Sequence, residues 1–224
     1  MAGGESKKNT EEGKQLLENA YRLSTPESNE AYYNALAQSY NTDFVTGLGY
    51  SLAHRVAEKY KALAAPEDSP IADIGCGTGV IGTALNGIDA GVDIVGMDIS
   101  TAMLQEAEKT HCYSELVKID LTSAIGSRHL GKFGAILSSG TFTHGHLGPE
   151  SLLELLTLAK TNALFVITIN KLHFVNKGFD KAITSLLESG SISHYDAGEV
   201  PIYNAQDHEH SNDVGLLTSF RKTE

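Results

Sequence analysis

Ile71-Ala72-Asp73-Ile74-Gly75-Cys76-Gly77-Thr78-Gly79 reads as a short buried strand that runs into a glycine loop, with a helix to follow. The glycines fall as G-x-G-x-G. Glycine lets the backbone turn tightly and approach a ligand that a Cβ would exclude. The first turn of the next helix offers unpaired N–H groups to a polar or anionic group. Asp73 stands two residues before the first glycine. A carboxylate there repels a pyrophosphate and suits a ligand that carries an ammonium or sulfonium group.

That combination points to S-adenosylmethionine (SAM), with S-adenosylhomocysteine (SAH) as its product, rather than to NAD. The rival reading uses Gly77-x-Gly79-x-x-Gly82, which also satisfies G-x-G-x-x-G. It requires the strand to reach Thr78, whereas the apolar run stops at Ile74. Asp98, closing the next strand, suits either ligand. Leu116 to Leu121 reads as a third strand ending in Asp120, placed to meet an adenine amino group. A NAD-type oxidoreductase and a non-catalytic SAM-binding regulatory module stand as the alternatives to a SAM-dependent methyltransferase.

Outward from the loop, strands and helices alternate. Strands are expected at Val92–Asp98, Phe133–Ser138 and Ala163–Thr168. Helices are expected at Thr101–Lys109 behind a Ser100 cap, at Pro149–Lys160 and at Phe179–Glu188. The tail changes character, with strands at Ile192–Tyr195, Val200–Tyr203 and Val214–Phe220 and no convincing helix between the last two. The expected fold is α/β: a Rossmann-like, doubly wound, mostly parallel seven-stranded sheet with a C-terminal antiparallel hairpin and an N-terminal helical lid. Residues 1–10 are expected to be a disordered tail, 11–66 the lid and 71–224 the SAM-binding domain. Within the lid, helices are expected at Glu11–Leu23, from a Ser24 cap to about Gln38, and at Asp43–Leu63, with Pro66 to Pro70 as a linker.

Composition narrows the function. The chain has 224 residues, 41% hydrophobic and 20% charged, as a globular domain with a sizeable core requires. Its net charge of −11, without a Lys/Arg-rich run, disfavours nucleic acid as a partner, because that binding draws on cationic contacts to phosphates. No apolar run is long enough for a membrane span, and the N-terminus lacks the apolar segment of a secretory signal. Two cysteines, Cys76 and Cys112, make no disulfide framework, so a cytoplasmic location is expected.

The Asp73–Gly79 motif, Gly96-Met97-Asp98-Ile99-Ser100 with Met103-Leu104, and Asp120-Leu121 together resemble the class I SAM-dependent methyltransferases across roughly residues 30–222. Tyr33-Asn34-Ala35-Leu36-Ala37-Gln38-Ser39-Tyr40-Asn41-Thr42-Asp43 resembles the N-terminal signature of small-molecule enzymes, nearest to the methyltransferase-like proteins of the Williams–Beuren region and their bacterial relatives. Those usually read Tyr-Asp-x-Trp-Ala-x-x-Tyr-Asp; here Leu36 stands for the tryptophan and Asn41 for the second acid. Gly145 to Leu152 resembles their segment after the fourth strand.

The resemblance implies a set of roles. Asp73 and the amides of Gly75, Gly77 and Gly79 would hold the methionine part of SAM. Asp98 would accept both ribose hydroxyls, Ile99 and Met103 would pack on adenine, and Asp120 would take its amino group. Leu121, Ser138 or Ser139, Tyr33 and Tyr40 would complete the cofactor set. Thr141, Phe142, Lys171 and His173, with Tyr33 again, would meet a small-molecule acceptor, Lys171 and His173 suiting an anionic one. His144 and His146, which titrate near neutrality, are the candidate acid–base pair. Ser139-Gly140-Thr141-Phe142 stands where base and amide methylation needs Asn-Pro-Pro-Tyr, and the fourth and fifth strand ends lack the carboxylates of a metal-dependent enzyme. No metal is therefore expected. Asp207-His208-Glu209-His210 has metal-binding residue types but reads as a polar turn.

Overall fold

The computed structural model describes residues 15–16, 18–88, 91–123, 127–204 and 209–224. The seven strands are β1 (Ile71–Ile74), β2 (Ile94–Asp98), β3 (Glu115–Lys118), β4 (Phe133–Phe142), β5 (Ala159–Asn170), β6 (Ile192–Pro201) and β7 (Val214–Lys222). They form one sheet in the order β3-β2-β1-β4-β5-β7-β6. β1 to β5 pair in parallel, and β7 runs antiparallel to both β5 and β6. The chain reverses its direction of travel across the sheet between β1 and β4. A crevice opens there, beyond the carboxyl ends of the strands, and such a switch point is where open α/β sheets bind ligands.

Alternation along the strands builds two layers of core. Ala72 and Ile74 of β1 face a cluster with Met97, Ile136, Phe165, Phe179 and Leu155. Ile71 faces the other way, onto Ala53, Val56, Ile81 and Leu85. The first cluster is covered by α5 (Ser151–Leu158) and α7 (Phe179–Glu188), the second by α2 (Leu52–Leu63) and α3 (Val80–Ile88). Helix α4 (Thr101–Glu108) leads from β2 to β3, capped by Ser100, whose Oγ accepts the Met103 amide at 3.1 Å. No described helix is long and apolar enough to cross a membrane.

The N-terminal helices differ from expectation in three ways. Helix α1 is Pro26–Leu36 and its cap is Thr25, not Ser24. Proline at 26 holds Thr25 extended at φ −133° and ψ 152°, the conformation a cap needs. Thr25 Oγ1 then accepts the Ser28 amide, and Ser28 Oγ accepts the Thr25 amide, both at 3.2 Å. The long helix over Asp43–Leu63 is broken. A π-helical turn, Asn41–Thr46, precedes α2, and Gly49 with φ +65° carries the chain between them. There Phe44, Leu48 and Leu52 pack on Ile202 and Tyr203, and the Ser51 amide donates to the Ile202 carbonyl at 2.9 Å, so packing overrides helical pattern. Of the helix expected at Glu11–Leu23, helical backbone is described at 15–16 and 18–21; Arg22 and Leu23 have already left the helix, and 11–14 and 17 lie outside the described residues.

Smaller departures follow the same logic. Residues 192–201 form one strand, not two, because backbone pairing with β7 continues through polar Asp196 to Glu199. β3 stops at Lys118, two residues short of Asp120. Pro66–Asp68 is a 3-10 turn, and Lys171–Lys177 forms a short unforeseen helix, α6, capped by Asn170 Oδ1. The tail at 1–10 and the pair Asp207–His208 lie outside the described residues.

Candidate active site

A cavity of about 180 Å³ lies over the carboxyl ends of β1, β2 and β4. Its floor is the glycine loop. Gly77 has φ +54°, and a Cβ built on it would meet nothing within 4 Å, so this backbone is open to a ligand. Gly75 has φ +65°, and a Cβ there would lie 2.2 Å from Thr141 Oγ1, so the loop closes tightly on the end of β4. Asp98 fixes the geometry: its Oδ2 accepts the Gly77 amide and its Oδ1 the Ser100 amide, each at 2.8 Å. Burial raises the Asp98 pKa against these two amide bonds. Ile99, Met103 and Leu121 give the cavity an apolar flank. Asp120 lines it too, with Oδ1 accepting the Thr122 amide and hydroxyl at 2.8 and 2.7 Å. Partial burial opposes ionisation of Asp120, but the Thr122 and Ser123 bonds outweigh it and hold its pKa below the usual range.

The N-terminal helices roof this cavity through polar latches. Asn34 Oδ1 accepts from Ser100 Oγ at 2.8 Å, and Asn41 Oδ1 accepts from Thr78 Oγ1 at 2.6 Å. Asn29 Nδ2 donates to the Gly145 carbonyl at 2.9 Å, and Lys118 pairs with Glu30. Tyr33 and Tyr40, 6.3 Å apart between ring centroids, form the inner wall.

Behind that wall lies a second cavity, of about 50 Å³. Tyr33, Tyr40, Gly140 and His146 line both spaces. His146 Nδ1 stands 2.8 Å from the His144 carbonyl, which can only accept, so Nδ1 carries the proton. Nε2 is then an acceptor, and the Tyr33 hydroxyl donates to it at 2.9 Å. Desolvation pushes the His146 pKa below 6.5, against the opposing effect of the His144 carbonyl, and burial pushes the Tyr33 pKa far up. At neutral pH this is a neutral imidazole whose Nε2 accepts the Tyr33 hydroxyl.

A family model described as a methyltransferase domain matches residues 71–161. The chain is 41% identical over 78 residues to the 18S rRNA (guanine-N(7))-methyltransferase of Bos taurus, a match that covers 34% of this chain and 27% of that protein. The magnesium protoporphyrin IX methyltransferase of Synechocystis PCC 6803, solved with SAM bound, superposes with a TM-score of 0.62 at 18% identity, over 89% of this chain and 98% of its own. The cyclase SpnF superposes with a TM-score of 0.66 at 13% identity, over 90% and 97%. The chain has the class I SAM-dependent methyltransferase fold. SAM, with SAH as product, is the cofactor that this fold supports, and the open Gly77 backbone beside the Asp98 carboxylate fits it.

Within this methyltransferase fold, most of the residues singled out by sequence converge. Gly75, Gly77, Asp98, Ile99, Met103, Asp120, Leu121, Tyr33, Tyr40, Thr141 and His146 line the first cavity, and Phe142 lines the second. Others do not reach it. Asp73 shares the face of Ile71, beneath the loop, because strand side chains alternate. Its Oδ2 accepts from the Tyr113 hydroxyl at 2.7 Å, while Oδ1 is buried without a partner. Gly79 turns its α-carbon towards Tyr113. Ser138 is buried and donates to the Ile74 carbonyl at 2.8 Å, leaving Ser139 on the cavity wall. Lys171 pairs with Glu199 in solvent, and His173 is buried with Nε2 donating to the Leu147 carbonyl at 3.0 Å. His144 lies in an outer groove with Lys171 and His210. Among the described residues there is no group of three or more metal-ligating side chains.

Sequence reasoning missed Tyr113, the latches Asn29 and Asn34, and the second cavity's tyrosines Tyr50 and Tyr203. Each acts through a partner far along the chain, and only the three-dimensional arrangement makes that partner visible.

Proposed function

We propose that the protein is a metal-independent methyltransferase that transfers a methyl group from SAM to a small-molecule acceptor. The observation that carries this reading is the meeting of two cavities at Tyr33, Tyr40, Gly140 and His146. Bound SAM supplies a methyl group already activated on a sulfonium, so alignment and desolvation can carry most of the catalysis. Asp98 would hold ribose hydroxyls with the lone pairs its amide bonds leave free, Gly75 and Gly77 would bring backbone against the methionine part, and Ile99, Met103 and Leu121 would pack on adenine. His146 is the general base and Tyr33 its relay. Asp73 and Tyr113 support the loop from below. The Tyr33–Asp43 pattern supports kinship with the small-molecule enzymes it resembles. The rRNA-modifying relative is matched over too small a part of its length to bring its substrate here, and a net charge of −11 argues against RNA.

Two measurements test this reading. Release of SAH with a small-molecule acceptor should show a kcat/KM that is level at neutral pH and falls on acidification below 6.5, because protonation removes the His146 Nε2 lone pair. His146→Phe should lower kcat/KM by about 100-fold and abolish that acid limb. A limb that survives the substitution assigns the base elsewhere.

The latches are hydrogen bonds and an exposed ion pair, weak enough to open and reclose, which suits helices that must admit a ligand. Hydrogen exchange across residues 20–45 should slow on addition of SAH and not of NAD. Equal protection with and without SAH would make these helices fixed walls. Slowing by NAD alone would overturn the cofactor assignment.

A further inference from the structure

We propose that the inner cavity is an acceptor subsite for a small uncharged ring bearing an acidic hydroxyl, a phenol-type molecule; this rests on the methyltransferase reading and names its acceptor class. The walls are aromatic. Tyr40 stacks on Phe44 at 4.9 Å between centroids, Phe44 meets Tyr50 at 5.5 Å, and Phe142 and Tyr203 close the far side. Among the described residues that line the space, none is Lys, Arg, Asp or Glu. A carboxylate or phosphate acceptor would be buried there without a counter-charge, at a cost of several kcal/mol. Lys171, the cation best placed in the sequence to hold an anionic acceptor, is instead paired with Glu199 at the surface.

The polar groups that remain match one hydroxyl. The Tyr50 hydroxyl is buried over Gly140 without a hydrogen bond of ordinary geometry, with Ser139 nearby. Tyr33 and the neutral His146 stand at the junction with the cofactor cavity. As an acceptor oxygen attacks the methyl carbon, an O–C bond would form and the S–C bond of SAM would break, its electron pair staying on the sulfur of SAH; the oxygen's proton passes to Tyr33 Oη while the Tyr33 proton passes to His146 Nε2, and the resulting imidazolium is held by its Nδ1–H bond to the His144 carbonyl. An ammonium is the competing guest, since aromatic walls attract cations. It has no lone pair to attack with while it carries the charge that draws it to these walls. Leu36 also lines this space. It stands where the resembling signature carries tryptophan, so the smaller side chain leaves room for a guest.

The test uses the full chain saturated with SAH, titrated by calorimetry with phenol, benzoate and benzylamine. Phenol is expected to bind at least tenfold more tightly than either charged analogue. Leu36→Trp, which fills only the inner cavity, is expected to abolish phenol binding and leave SAH affinity within twofold. Benzoate or benzylamine binding as well as phenol, no binding of phenol, or phenol binding untouched by Leu36→Trp would each overturn the proposal. Failure of SAH itself to bind would instead overturn the cofactor reading, and the same titrations on the ligand-free chain would still decide the inner cavity. If Leu36→Trp does not fold, Tyr203→Trp serves as the second filling variant.

Discussion

Asp73→Asn is expected to stabilise the ligand-free protein by on the order of 3–4 kcal/mol at pH 8, raising Tm by about 10 °C. Desolvation is the main cause: it lifts the Asp73 pKa from 3.8 to about 7, against the opposing hydrogen bond from Tyr113. The unfolded chain releases this proton near pH 3.8, whereas the folded chain keeps it until about pH 7. Stability is therefore lost as pH rises between those values, and above the upper one the full cost is present. Asparagine keeps an oxygen for the Tyr113 hydroxyl and carries no charge to bury. The gap in Tm between variant and parent should be near zero at pH 4, open through pH 7 and then stay level. A gap independent of pH would mean that the carboxylate is not the source. SAM affinity should change far less than in the variant discussed next, because Asp73 lies under the loop and not on the cavity wall.

Asp98→Ala is expected to weaken SAM binding by between tenfold and a hundredfold, roughly 2–3 kcal/mol. Two losses combine. The ribose hydroxyls lose a charged acceptor, and the Gly77 and Ser100 amides lose the oxygens that set the loop at 2.8 Å. Asp98→Asn separates them. It can still accept one amide while presenting an NH₂ to the other, so it should bind more weakly than the parent and fold as well. Calorimetry with SAH on the three proteins measures this directly, and an Asp98→Ala protein of parental affinity would remove Asp98 from the site.

The lining of the outer cavity was legible because its determinants are local. Gly75, Gly77, Asp98, Ile99 and Met103 lie on two consecutive strand–loop–helix units, and β-strand and helix periodicities carry each to the same end of the sheet. Asp73 shows the limit of that reasoning. Motif spacing brings it to the loop, but alternation along β1 turns its side chain to the Tyr113 side. The inner cavity was less legible. His146 was one of two loop histidines, and only the Tyr33 hydroxyl and the His144 carbonyl, which fix its tautomer, separate it from His144. Lys171 looked like an anion anchor until Glu199, on a neighbouring hairpin strand, proved to hold it.

The sequence by itself determined the parallel sheet, its C-terminal hairpin, the glycine loop and Asp98 closing β2, since these rest on hydrophobic period and glycine conformation, which act within a few residues. Only the tertiary structure decided where the long N-terminal helix breaks, which side chains wall the inner cavity and which histidine lines both cavities. Those depend on contacts between segments more than 100 residues apart, such as Tyr33 with His146 and Ser51 with Ile202. Packing and hydrogen bonding across such separations leave no periodic trace in the chain, so they become readable only once the sheet has brought the segments together.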